Sequence, residues 1–161
     1  MLDAEPPFAY TIGLTRFQGH PEIITFGLCV DHLGDTLNVL GEAVRVGIDV
    51  RSPAFLDELF QPDTTRMITV EDSSRHLLGA NRVYRAAGQP PVPALQLIWA
   101  DGEGLFPWNF GFAEGGWPQP LLGKAARASV DMHTVRRHHD FCDNAAARPA
   151  VHAGRSRDGS R

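Results

Sequence analysis

Few side chains in this sequence have the types and spacing that chemistry needs. The first group is Gly19-His20-Pro21-Glu22. An imidazole titrates near neutral pH and can pass a proton, and Glu22 could orient it or hold a cation. Tyr10 and Thr11 fall within reach if the flanking segments pair as strands. His20, Glu22 and Tyr10 therefore form the candidate acid–base set. The same four residues also make a serviceable turn, with Gly for an unusual backbone angle, His on a carbonyl, Pro fixing the exit and Glu toward solvent. A site needs convergent polar groups and one loop supplies few, which favours the turn.

The second group is aromatic. Phe106, Trp108, Phe110, Phe112 and Trp117 crowd into twelve residues. Together with Gly and Pro they could line a ligand cleft or face a protein partner. The candidate contact surface is His20, Phe106, Trp108, Phe110 and Trp117. The competing reading is a flap that closes one end of the core, since rings dominate ordinary cores too. Trp99 reads as core.

Weaker groups complete the survey. Asp101, Glu103 and Glu114 could pair as catalytic carboxylates or hold a divalent cation, but Asp101-Gly102-Glu103-Gly104 lacks calcium-loop spacing and reads as a solvated turn. His133, His138, His139, Asp140 and Cys142 are metal-like in composition only, because adjacent imidazoles on a helix point about 100° apart. Cys29 precedes a helix start that could lower its pKa, yet no base is matched to it, so it reads as a small packing residue. Walker, dinucleotide-glycine, nucleophile-elbow and His-Glu-x-x-His signatures are absent. No metal and no cofactor is expected.

The whole chain bounds these readings. It has 161 residues, enough for one ordinary domain. Residues 1–123 carry 7 Lys+Arg against 15 Asp+Glu, and residues 124–161 carry 8 against 4. An acidic body repels phosphate backbones, so no nucleic-acid partner is expected except weakly through the basic tail, by way of Arg136-Arg137 and Arg155–Arg161. No apolar run reaches the roughly 18 residues of a membrane span. Two distant cysteines make no disulfide framework, and no signal peptide opens the chain, so a reducing cytoplasm is expected.

Periodicity supplies the elements. Residues 8–14 alternate, with Phe8, Tyr10, Ile12 and Leu14 on one face, and 22–28 form a second strand-like run. Asp31 is placed to cap a helix carrying Leu33, Leu37, Leu40 and Val44, with Gly47 as its stop. Ser52-Pro53 opens a short helix. Residues 66–70 read as a strand, and Ser73 or Ser74 caps a helix to about Ala87 with Leu77, Ala80 and Tyr84 inward. Ala94–Ala100 is the clearest strand, with Leu95, Leu97 and Trp99 on one side. The turn at 101–104 then predicts a hairpin return from Leu105. The expected fold is α+β, a mainly antiparallel or mixed sheet of about five strands with two main helices on one face. Residues 1–123 form the domain. Residues 124–161 read as a basic, largely disordered tail, too poor in apolar surface to offset its backbone entropy.

Three separated stretches resemble one family. Pro6-Pro7-Phe8-Ala9-Tyr10-Thr11-Ile12-Gly13-Leu14 with Gly19-His20-Pro21-Glu22 is similar to the opening of the bacterial domain-of-unknown-function family 4262. Ala94-Leu95-Gln96-Leu97-Ile98-Trp99 with Phe106-Pro107-Trp108, and then Gln119-Pro120-Leu121-Leu122-Gly123, resemble its later motifs. The resemblance covers about residues 6–123 and implies a fold unit, not a reaction. Relatives usually place another strand-like segment before the Pro-Pro-Phe stretch, where this sequence has five residues, so the expectation is a sheet edge left open or, alternatively, a true start upstream of Met1 or a truncated copy. The segment after Gly123 has no counterpart. Two functional readings follow. One is a non-catalytic module that binds a protein partner or small ligand. The alternative is a small hydrolase or other acid–base enzyme using the His20 loop.

Overall fold

A computed structural model describes residues 6–113 and 118–124. They build one sheet from β1 (Phe8–Tyr10), β2 (Glu22–Phe26), β3 (Thr65–Thr69) and β4 (Ala94–Trp99), in the order β1-β2-β4-β3. β1 and β2 are antiparallel, β2 and β4 parallel, and β3 and β4 antiparallel. The class is α+β with a mixed sheet, of four strands where about five were expected.

The central parallel pair needs cover on both faces. All five residues of β2 are buried, and so are the first five of β4. Helix α1 (Val30–Arg45) and α2 (Pro53–Leu59) cover one face, where Leu37, Leu40, Val44 and Leu56 join Ile23, Leu95 and Leu97. Helix α3 (Leu78–Tyr84) lies on the other, where Leu77 and Ala80 join Ile24 and Phe26. This corrects the expectation of both main helices on one face. A helix pair on one side would leave the β2–β4 pair half bare.

Local chemistry sets the boundaries. Cys29, not Asp31, takes the cap position of α1, and Asp31 falls in the first turn, where its charge still suits the helix dipole. α1 stops as expected at Gly47, whose φ of 85° lets its N–H reach Val44 O (3.0 Å) and the Ile48 N–H reach Ala43 O (2.9 Å). Ser52 caps α2, accepting from the Phe55 N–H. Ser73 does not cap α3. Its hydroxyl donates to Val92 O (2.7 Å) and its backbone carbonyl takes an Asn81 amide proton (3.2 Å), so it ties the proline connector down. α3 is consequently shorter than expected. It packs close to β1: a Cβ on Gly79 would sit 2.9 Å from Ile12 Cδ1 and 3.1 Å from the Tyr10 hydroxyl.

One expected strand is cut short and another does not form, each for an identifiable reason. The 8–14 alternation ends at Tyr10. Gly13 then takes a φ of 118°, Leu14–Arg16 form one 3₁₀ turn, Ile12 is exposed, and Leu14 is buried in the α1-side core. Residues 105–112 form turns rather than a hairpin strand, because Asp101 and Asn109 accept N–H groups that a ladder would use, and Pro107 has none to give.

Residues 119–122 are stitched to the sheet by two glutamine side chains. Gln96 Nε2 donates to Pro120 O (2.7 Å), and its Oε1 accepts from Leu122 N (2.8 Å). Gln119 does the same to the backbone of Trp99, at 2.8 and 2.9 Å. Each bond is worth about 1 kcal/mol net.

Candidate functional site

The His20 loop and the aromatic segment occupy opposite ends of the sheet. The register Glu22↔Ala94 puts the starts of β2 and β4 side by side, so His20 and Pro21 lie at that end. Asp101 follows the far end of β4. Six residues of β4 separate them, about 17–20 Å of strand. One surface joining His20 with Phe106 and Trp108 is therefore not assembled.

At the first end, Glu22 is fully buried and holds the loop before it. Its carboxylate accepts from the Thr11 hydroxyl (2.6 Å) and the Gly13 N–H (2.8 Å), and more distantly from the Thr15 N–H (3.5 Å). Thr11 Oγ1 in turn accepts from the Ile23 N–H (2.9 Å). His20 Nδ1 lies 2.7 Å from its neighbour's carbonyl, Pro21 O, the geometry of an imidazole N–H donor. Tyr10 Oη accepts from the Gly79 N–H (3.0 Å). Among the described residues no hydrogen bond joins His20 to Glu22 or Tyr10. Each of the three is engaged with backbone, which fits a turn better than a proton relay.

At the second end a carboxylate again builds a loop, with a different result. Asp101 Oδ1 accepts from Glu103 N (2.9 Å) and Leu105 N (2.8 Å), and Oδ2 accepts from Ala113 N (2.9 Å). One side chain thus clamps both ends of residues 101–113. Asn109 Oδ1 caps the Phe106 N–H (2.8 Å). Phe106 is buried on Ile68 and Ile98. Trp108 stacks on it, with centroids 4.9 Å apart and planes 4° off parallel. The Arg66 guanidinium lies 5.1 Å over the Phe106 ring and pairs with Asp63 (2.8 Å). Phe110, at the tip beside Gly111, is fully exposed.

The aromatic group thus divides. Phe106 is core, Trp108 is half-buried, Phe110 is free to touch a partner, and Trp117 lies outside the described residues. Trp99 is half-buried, with its indole N–H on Thr25 Oγ1 (3.0 Å) and Phe60 edge-on. Glu114 and the histidine–Cys142 group also lie outside the described residues. Among those described, no three His, Cys, Asp or Glu side chains gather as metal ligands, and no helix is long and apolar enough to cross a membrane.

The sequence reading missed His32. Its Nδ1 lies 2.6 Å from Cys29 Sγ at the start of α1. The signal was the three-residue spacing, which brings a cap residue and the end of the first turn together.

Residues 2–113 match the family model described as Domain of unknown function (DUF4262). No curated protein and no solved structure matches. The matched span holds all four strands, the Glu22 loop and the Asp101 loop, and ends before the glutamine-stitched segment at 119–122. The chain belongs to this family of unknown function, DUF4262.

Proposed function

We propose that this domain is a non-catalytic cytoplasmic binding module whose contact surface for a protein partner is the 101–113 loop. The observation that carries this reading is Phe110, a fully exposed ring on a loop clamped at both ends by Asp101. Aromatic side chains dominate interface hot spots, and a loop held in its bound shape loses little entropy on docking. Trp108 beside it extends the apolar area, and the Arg66–Phe106–Trp108 stack fixes that area to the sheet. At the other end, the groups suited to acid–base work are spent on backbone.

The test is a photo-crosslinking residue placed at position 110 in cells, with one at exposed Val46 as control. A single partner captured from 110 and not from 46 supports the reading if the purified partner binds wild type about tenfold or more tightly than Phe110→Ala. Equal capture from both positions, or affinity unchanged in Phe110→Ala, contradicts it.

A further inference from the structure

We infer that the groove between the 3₁₀ turn, the end of α3 and the proline connector is a second site, one that binds a small organic oxyanion, a carboxylate or phosphate carried on an apolar body. The groove is shallow and open to solvent, has a volume of about 430 Å³, and is lined by Thr15, Arg16, Tyr84, Arg85 and the Gln89–Pro93 stretch. That volume falls in the range of small-molecule pockets, about 300–1,000 Å³.

Charge sets the ligand class. The first 123 residues carry 15 acidic side chains against 7 basic ones, yet two of the seven arginines open on this one groove. Neither forms an ion pair among the described residues, and the one carboxylate that feels Arg85, Asp72, does so at longer range. Arg16 lies 5.9 Å over the Tyr84 ring, and Arg85 spends its Nε on Gln89 O (2.7 Å). Stacking and a single carbonyl leave the outer guanidinium N–H groups for an oxyanion, which they match in a fork geometry. Asp72 shows that the field of Arg85 reaches the neighbouring surface. Its carboxyl is held below the usual range first by hydrogen bonds from Ser74, and further by Arg85 and Arg75.

The walls set the body. Pro90, Pro91 and Pro93 line the groove together with the Tyr84 ring, rigid apolar surface of the kind that receives a hydrocarbon body. The Tyr84 hydroxyl makes no hydrogen bond among the described residues and is left for the ligand. A polyanion is excluded by the acidity of the rest of the domain. The groove lies at the His20 end of the sheet, remote from Phe110, so the two sites are separable.

Titration of the full chain with benzoate, phenyl phosphate, inorganic phosphate and benzyl alcohol, followed by NMR, tests the assignment. Saturable shifts at Thr15, Tyr84 and Gln89 are expected with benzoate or phenyl phosphate at about 1 mM or below. Affinity should fall about tenfold or more in Arg16→Gln/Arg85→Gln, fall less in Arg16→Lys/Arg85→Lys, and stay unchanged in Phe110→Ala. Four results overturn it: no saturable shift up to about 10 mM, equal binding of inorganic phosphate, equal binding of benzyl alcohol, or full affinity in the glutamine pair. None of these bears on the Phe110 surface, whose test is separate.

Discussion

Two carboxylates organise the two ends of this sheet, and they do so to opposite effect. Glu22 is buried and draws the 11–15 segment inward, so that Leu14 enters the core. Asp101 binds N–H groups from both ends of a longer loop and leaves Phe110 outside. Both spend their acceptor capacity on the fold. What remains for chemistry with another molecule is whatever the fold does not satisfy: a bare ring at one end, and two guanidiniums and a phenol at the other. Counting acidic and basic residues near a loop therefore locates its scaffolding before it locates its site.

Removing Glu22 should have the largest effect, because it leaves three part-buried donors, the Thr11 hydroxyl and the Gly13 and Thr15 N–H groups, without their acceptor. Glu22→Ala is expected to cost about 3 kcal/mol, read from the denaturant midpoint at unchanged slope. A loss under about 1 kcal/mol would show that this end does not depend on the carboxylate.

Asp101→Ala should cost less, about 2 kcal/mol, and the damage should stay local. The amides of Leu105 and Ala113 are expected to exchange with solvent much faster while those of β2 and β4 keep their protection. Uniform loss of protection would mean that the two ends are one cooperative unit, and the contrast drawn between them would fail.

Phe110→Ala should leave stability within about 0.5 kcal/mol of wild type, since the ring contacts solvent. A larger loss in thermal or chemical unfolding would reveal a packing role and remove the main support for a display surface.

The smallest effect is expected at Asp72. Its folded-state carboxyl is held low by Ser74 and then by the nearby arginines, so what it adds is present above its unfolded pKa and lost as pH falls through the lower folded value. Asp72→Asn should flatten the stability–pH curve only below about pH 4, and barely, because the group is solvent-exposed. An effect at neutral pH would contradict that.

Much of the fold was legible. The α1 stripe, the Ser52-Pro53 start of α2 and the facing of Leu95, Leu97 and Trp99 follow from local periodicity, and the structure keeps them. What failed depends on partners distant in sequence. Alternation from Phe8 to Leu14 reads as a strand until Glu22 takes the Gly13 N–H, and alternation from Phe106 to Phe112 does so until Asp101 takes that of Ala113. The parallel pairing of β2 with β4 joins segments about seventy residues apart, which no local pattern encodes, and with it went the second covered face. The aromatic cluster was visible, but not which ring is core and which is displayed. Trp108 and Phe110 share a strand-like phase, and only a turn at Asn109 separates their fates. The Arg16–Arg85 groove was invisible, because its two guanidiniums are far apart in the chain.

The central claim is that the 101–113 loop stands ready in its displayed form before any partner arrives. Backbone ¹⁵N relaxation of the isolated protein measures this directly. Order parameters near about 0.85 at Leu105, Asn109 and Ala113, as in rigid backbone, are the predicted result; values below about 0.6 across the loop would contradict it.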